Sequence, residues 1–336
     1  MSPRTVRLAA ALAALLLAPA ARAYVRSTSR EGAPFYWQER KVGYQINPRR
    51  GPSAPSCSDA SQYADTAAIE AVRAAFRTWT GAVQDCTDLE LLDQGFTDVA
   101  TVGFDPRAAR NENLVIFREG WCSEVALPAD ACWDSGTCAN TYDCFEDALP
   151  ADRATIAITT VTHDAHSGRI YDADIELADW RGQLPAGSSL SPGGVSTQPP
   201  DGWYFTCTPA AQPPCSAYGQ SGCTYVDLQS NATHEIGHFI GLAHPCTLGN
   251  SDCNPKTSVY RPLVMFPAAT LGDVSKRTLT DDDRAGLCAI YPFGGATWTS
   301  PVKASGGGGC ASGGGAGGLA SALLALVALA RRGRRR

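Results

Sequence analysis

The feature that most constrains this chain is the spacing of three of its five histidines. Residues 234–244 read His-Glu-Ile-Gly-His-Phe-Ile-Gly-Leu-Ala-His. On a helix, His234 and His238 project from one face about one turn apart, so both imidazoles can reach one ion. Gly241 can adopt a positive φ, which predicts that the helix ends there and that the chain turns back to present His244. Three protein ligands leave one coordination position open, which is typical of catalytic rather than structural zinc.

Glu235 and Met265 extend this pattern. Glu235 follows the first histidine, so its side chain can point towards a metal-bound water and serve as a general base. Met265 is the only methionine besides the initiator, and it lies 21 residues after His244 in the run Leu263-Val264-Met265-Phe266-Pro267. The motif HExxHxxGxxH resembles the signature of the metzincin zinc metallopeptidases, and the later methionine resembles the Met-turn of their matrixin branch.

The resemblance covers about residues 35–292, because Leu279-Thr280-Asp281-Asp282-Asp283 and Ile290-Tyr291-Pro292 are also similar to the last matrixin helix. It implies an α+β, metzincin-like fold: a twisted mixed β-sheet with two helices, plus a small C-terminal subdomain carrying the Met-turn and a last helix. It also implies one catalytic Zn²⁺ and hydrolysis of protein or peptide substrates by a zinc-activated water. Met265 would support the metal site from beneath without binding the metal.

Three positions depart from the family patterns. Pro245 follows the third histidine, where matrixins usually have Ser and astacins Glu. Phe266 follows the methionine where astacins and serralysins place a tyrosine on the metal side, so no fifth ligand is expected. Residues 24–56 contain no cysteine, so the thiol latency of matrixin pro-segments is not expected.

Two other functions remain open at this level. A zinc hydrolase of cell-wall amides would use the same ligands, and residues 246–278, which would build the specificity pocket, carry no readable motif. A non-catalytic surface binding protein could use the same scaffold. Glu235 and the open coordination position favour an enzyme, because a binding module has no need of a general base.

The two ends of the chain differ from its middle. Residues 1–23 have a basic start, an apolar run and an Ala-Arg-Ala cleavage pattern, which predicts a signal peptide. A Gly-rich linker at 299–318 precedes an apolar segment and five arginines at 319–336. This tail resembles the Gly-Cys, apolar, Arg-cluster sorting tails (MYXO-CTERM type) of exported bacterial proteins. The peptidase-like domain is therefore expected at 24–298, exported and displayed on the cell surface or secreted, with membrane contact only through the tail.

Charge and cysteine content agree with export. The leader holds three of the 28 bases, the residues after Ser305 hold five, and neither segment has an acid. Residues 24–305 therefore carry 20 bases against all 33 acids, a formal charge of −13. Such a surface argues against a nucleic-acid partner and is compatible with Ca²⁺. Of 13 cysteines, Cys310 lies in the tail and twelve remain, which predicts up to six disulfides. Cys246 with Cys253 is the favoured local pair, and we expect a monomer.

Hydrophobic periodicity places the main elements. It predicts helices over 66–79, 226–241 and from Thr280 towards Tyr291, with a capping box at Thr280 and Asp283, and strands over 114–117 and 155–161. Residues 171–177 alternate apolar and acidic side chains, which indicates a strand with one buried and one acidic face. We expect the strand at 170–178 to be an edge strand that can pair with an extended substrate. Residues 181–222 are expected to form a long loop.

Two further groups of residues are candidates for a second metal site. His163 and His166 flank Asp164, and this region can hold a structural zinc in matrixins; the alternative is an exposed loop. The acidic face of the next strand can bind calcium or be solvated, and we favour solvation. The residues of this face are Asp172, Asp174 and Glu176.

The tail predicts a processing event that can be measured. The apolar run at 319–330 is short for a bilayer core, which needs roughly 20 residues, and this favours a temporary anchor removed near Cys310. We expect mass spectrometry of the mature protein to show a chain that begins at Tyr24 and lacks the arginine cluster. An intact arginine cluster would indicate a permanent membrane anchor instead.

Overall fold

A sheet with two helices packed against one face forms the centre of the fold. The computed structural model describes residues 23–48, 60–81, 85–108, 111–119, 156–179, 202–204, 225–269 and 273–294. The helices of this part are α1 (Ala60–Gly81), α2 (Leu228–Phe239) and α3 (Asp281–Ile290). Its strands are β1 (Val25–Arg26), β2 (Tyr36–Trp37), β3 (Lys41–Asn47), β4 (Glu90–Phe96), β5 (Leu114–Glu119), β6 (Ala157–His163), β7 (Arg169–Asp179), β8 (Gly202–Tyr204), β9 (Tyr225–Asp227) and β10 (Leu242–Ala243).

The main sheet has six strands and is mostly parallel. Its order is β2-β7-β5-β3-β4, with parallel pairing throughout, and β6 pairs antiparallel with β7. Two further strand pairs, β1 with β10 and β8 with β9, lie outside this sheet. A mixed sheet combined with three helices is compatible with the expected α+β class.

The strand at 170–178 is not at an edge, and that prediction was wrong. β7 pairs with β6 along one edge and with β2 and β5 along the other, so it is an interior strand. In the described part of the chain, β6 pairs only with β7 and takes the edge position. An alternating pattern marks two different faces, but it does not report how many neighbours a strand has.

The acidic face of β7 is buried rather than solvated, which corrects the second expectation for this strand. Asp172, Asp174 and Glu176 are almost completely inaccessible. The carboxylate of Asp174 accepts hydrogen bonds from the Leu114 and Gly103 N–H groups at 2.8 and 2.6 Å. Glu176 forms an ion pair with the equally buried Arg118 at 2.9 Å. Burial raises the pKa of Asp172 to about 6 and also raises the pKa of Asp174.

Helix α1 supplies the apolar contacts that join the sheet to α2. Ile69, Val72, Phe76 and Trp79 are all buried, as the predicted helix at 66–79 required, and the observed helix extends beyond that range at both ends. Phe76 stacks on Tyr44 of β3 with ring centroids 3.6 Å apart. The cluster of buried residues runs without a break through α1, the inner face of the sheet and α2.

Two disulfides lie in the described residues. Cys246–Cys253 confirms the predicted local pair. Cys86–Cys288 joins the segment before β4 to α3 across a separation of 202 residues, and no spacing argument predicted it. Such bonds fit an extracellular protein. The remaining cysteines, residues 1–22 of the expected leader, the tail and nearly all of the expected 181–222 loop lie outside the described residues. Within the described residues, no helix is long and apolar enough to cross a membrane.

The other predicted elements are present with adjusted ends. Strands β5 and β6 contain most of the predicted segments at 114–117 and 155–161. Helix α3 begins after Thr280, whose hydroxyl and backbone N–H exchange hydrogen bonds with Asp283 as a capping box. Helix α2 is shorter than expected, because Asp227 caps its first turn and Tyr225–Asp227 form a strand.

Gly241 follows α2 in a backbone conformation that favours glycine, and the need for glycine at this position can be tested by substitution. Its φ is 96°, and a Cβ added there would lie 2.7 Å from the Phe35 carbonyl oxygen. We expect Gly241→Ala to lower the free energy of unfolding by about 2–4 kcal/mol, from backbone strain and this contact together.

Gly249 provides the matched control. Its φ of 94° is equivalent, but nothing lies within 4 Å of an added Cβ. We expect Gly249→Ala to cost about 1 kcal/mol in denaturant unfolding at equal zinc concentration. Equal losses in the two variants would show that the approach of Phe35 is not what requires glycine at 241.

Candidate metal centre

Helix α2 is held in place at both of its ends. The Asp227 carboxylate accepts the Ser230 N–H at 2.7 Å and also binds the guanidinium of Arg277, with 2.9 Å between Nε and Oδ1. At the other end, the Gly241 N–H donates to the His238 carbonyl oxygen at 2.9 Å. The chain then reverses at Gly241 with the predicted positive φ and presents His244.

The three histidines of the motif converge on one point. The Nε2 atom of His244 lies 3.0 Å from Nε2 of both His234 and His238. Zinc binds imidazole nitrogen at about 2.0–2.1 Å, so tetrahedral ligands of one ion lie about 3.4 Å apart, close to the distances here. Among the described residues, these three form the one group of His, Cys, Asp or Glu side chains arranged to hold a metal.

Hydrogen bonds select the nitrogen that faces the metal position. His234 Nδ1 donates to the Val264 carbonyl oxygen at 2.6 Å, and His238 Nδ1 donates to the Leu242 carbonyl oxygen at 2.8 Å. Both bonds leave Nε2 as the free lone pair, which is the form that binds zinc. Burial lowers the pKa of His238 to about 4 and holds those of His234 and His244 well below their usual range. All three imidazoles are therefore neutral at neutral pH.

Glu235 lies beside the histidines and is also buried. Its Oε2 atom accepts a hydrogen bond of 2.7 Å from the Thr159 hydroxyl of β6. Burial raises the pKa of Glu235 to about 7, against the lowering effects of Thr159 and Lys276. A carboxyl group with a pKa near neutrality can both accept and release a proton under ordinary conditions.

Met265 lies directly beneath α2. Its Sδ atom occupies the space where Gly237 would carry a side chain, so a residue larger than glycine would collide with it. The chain turns here, with the Phe266 N–H donating to the Leu263 carbonyl at 3.1 Å. The Asp283 carboxylate accepts the Val264 N–H at 3.1 Å, and the carbonyl of Val264 is the one that binds His234. Met265 therefore packs against α2 at Gly237, and its role in supporting a metal site stays a prediction.

Two buried polar residues near the site escaped sequence reasoning. The sequence predicts Thr159 only as part of the strand at 155–161. Lys276 is buried with its ammonium 2.5 Å from the Phe266 carbonyl oxygen and 3.2 Å from that of Ala268, and burial lowers its pKa to about 8. Nothing in the local sequence separates either residue from ordinary surface threonines and lysines, since their partners lie on distant segments.

The residues considered for a secondary metal are not brought together. His163 packs on the Phe35 ring at 4.0 Å between centroids, and the exposed His166 pairs with Glu31 at 2.6 Å. Asp164 accepts hydrogen bonds from the backbone and hydroxyl of Ser167 within its own turn. The acids of β7 are buried on the face of the sheet that lies opposite the two helices. These residues form no shared set of ligands in the described structure.

Comparison with known proteins gives one partial similarity. No family model matches the chain. A metalloendoproteinase of Arabidopsis thaliana, 5-MMP, is 40% identical over 68 residues, which is 20% of this chain. The matched segment spans only 15% of that protein's length. The similarity and the histidine triad together indicate a metal site of the metallopeptidase kind.

The triad predicts a specific loss of metal. We expect the unmodified protein to bind one equivalent of zinc and His238→Ala to lose it, because two imidazoles cannot complete the site. Titration with zinc followed by elemental analysis measures the stoichiometry. His166→Ala is the matched control and should retain the metal, since His166 is exposed, pairs with Glu31 and is not part of the triad. Equal zinc content in all three proteins would contradict the assignment of the triad.

Proposed function

We propose that this chain is an exported zinc endopeptidase of the metzincin type, with Glu235 as its general base. The observation that supports this most directly is a buried carboxyl group beside three convergent, neutral imidazoles. A structural zinc site has four protein ligands and no need of an adjacent acid, whereas three ligands with a neighbouring carboxylate suit hydrolysis. The partial similarity to a plant metalloendoproteinase agrees with this class.

Each residue of the site would have a separate role in hydrolysis. His234, His238 and His244 would hold zinc, which when bound polarises the scissile carbonyl and acidifies a water molecule. Glu235 takes a proton from the attacking water and delivers it to the nitrogen of the leaving amine. Met265 supports α2 from below, and Val264 and Leu242 keep two of the imidazoles in the ligating tautomer.

Protein or peptide substrates fit the edge of the sheet next to the site. An extended peptide can add to an edge strand through backbone hydrogen bonds. Since β7 is interior, β6 is the strand to which we assign this role, and Thr159 places β6 in contact with Glu235. A peptide added there would run alongside the metal position.

The cellular setting is part of the same proposal. The leader would direct the chain out of the cytoplasm, where disulfides such as Cys246–Cys253 persist. The tail would anchor or sort the protein, and the acidic middle domain would act as a monomer on proteins rather than on nucleic acid.

Replacement of the proposed base tests the mechanism. We expect Glu235→Gln to retain zinc and to lower the cleavage rate of a denatured protein by about 10²–10⁴-fold, because the amide has the same shape but cannot accept the proton. Glu90→Gln is a suitable control, since Glu90 is exposed and pairs only with Lys41 among the described ion pairs. Full activity in Glu235→Gln would exclude this mechanism.

The choice of substrate in the same assay separates the alternatives. Cleavage of the denatured protein supports an endopeptidase. Release of fragments from purified cell-wall material, with the denatured protein left intact, would favour a hydrolase of cell-wall amides. Zinc binding without cleavage of either would favour a binding protein.

A further inference from the structure

We propose that Thr159 is a positioning residue that fixes the Glu235 carboxylate and leaves a single oxygen, Oε1, for proton transfer. This inference rests on the proposed function. Its basis is the hydrogen bond of 2.7 Å from the Thr159 hydroxyl to Glu235 Oε2. The same hydroxyl oxygen lies 3.1 Å from the Glu235 carbonyl oxygen, so it contacts both the backbone and the side chain of this residue.

The register between β6 and β7 places this hydroxyl on the face of the sheet that packs against α2. Thr159 is paired with Ile175, whose side chain belongs to the apolar face that packs against the helices. Thr160 and Thr162 are paired with Asp174 and Asp172, so they lie on the opposite face. Because successive side chains alternate between faces, only Thr159 of these three threonines can reach Glu235.

The Thr159 hydroxyl is a polar group among apolar neighbours, so its presence has to be explained by a hydrogen bond rather than by packing. Its neighbours on the same face of β6, Ala157 and Val161, are apolar members of the core. Valine has nearly the same shape as threonine and avoids burying a polar group, which is costly unless the group is hydrogen-bonded. The Thr159 side chain is 4% exposed and Glu235 is 5% exposed, so water competes little for this bond. The hydroxyl is therefore placed to serve the carboxylate rather than to fill space.

The contact distinguishes the two oxygens of the base. Oε2 is engaged by Thr159, whereas no described residue donates a hydrogen bond to Oε1. Oε1 would accept one proton from water as the water oxygen bonds to the carbonyl carbon. The same proton would pass from Oε1 to the nitrogen as the carbon–nitrogen bond breaks. The Thr159 proton stays on its own oxygen throughout and holds the carboxylate in one orientation.

Thr159→Val removes the hydroxyl and keeps the shape of the side chain. We expect kcat for peptide cleavage to fall about ten- to a hundredfold with KM and zinc content unchanged, because one hydrogen bond to a charged group is lost. Thr159→Ser should restore most of kcat, since it keeps the donor and loses a methyl group. Thr87→Val is the matched control and should leave kcat unchanged, because Thr87 is equally buried but lies outside β6, and its hydroxyl accepts the Leu89 N–H at 3.2 Å. An unchanged kcat in Thr159→Val, beside an active unmodified protein, would overturn the inference.

Crystal structures of the zinc-loaded full-length protein and its Thr159→Val variant give a second readout that does not depend on activity. We expect one orientation of the Glu235 carboxylate in the unmodified protein and a rotated or divided one in the variant. The same orientation in both would overturn the inference even if no substrate has been found. Failure of the proposed function would appear separately, as an unmodified protein that binds zinc but cleaves no peptide.

Discussion

The burial of α2 around its whole circumference is the constraint on which the rest of the structure depends. Every residue of this helix except Gln229 is buried. The helix nevertheless carries His234, His238, Glu235 and several smaller polar side chains. A polar group without a partner in such surroundings costs about 1–3 kcal/mol. The surrounding chain supplies hydrogen-bond partners to His234, His238 and Glu235, and this requirement helps to determine which segments meet at the helix.

The partners come from segments far apart in the chain, and they also fix the orientation of side chains in the candidate site. The Val264 carbonyl satisfies His234 and selects its ligating nitrogen, while Thr159 satisfies Glu235 and orients it. Trp79 of α1 donates to the Thr233 carbonyl at 2.8 Å and anchors the apolar side of α2. The hydrogen bonds that satisfy buried groups of this helix are thus the same ones that fix the orientation of Glu235 and of the His234 and His238 imidazoles.

The acidic strand shows where pattern reasoning fails. An alternation of apolar and acidic residues at 171–177 normally indicates a strand with one face in water. Here Arg118 provides an internal partner for Glu176, and the backbone N–H groups of Gly103 and Leu114 provide partners for Asp174, so both faces can be buried. The charge pattern of β7 alone is identical in the two situations, because the compensating groups belong to other segments.

Local sequence determined the parts of this protein that lie within a few residues of each other. The four-residue spacing of His234 and His238, the reversal at Gly241 and the Cys246–Cys253 bond follow from helix geometry and short loops. Tertiary structure alone decided the edge strand, the Cys86–Cys288 bond and the contact between Thr159 and Glu235. These features join residues separated by tens to hundreds of positions, and their pairing depends on how the sheet and the helices pack, which no local pattern encodes.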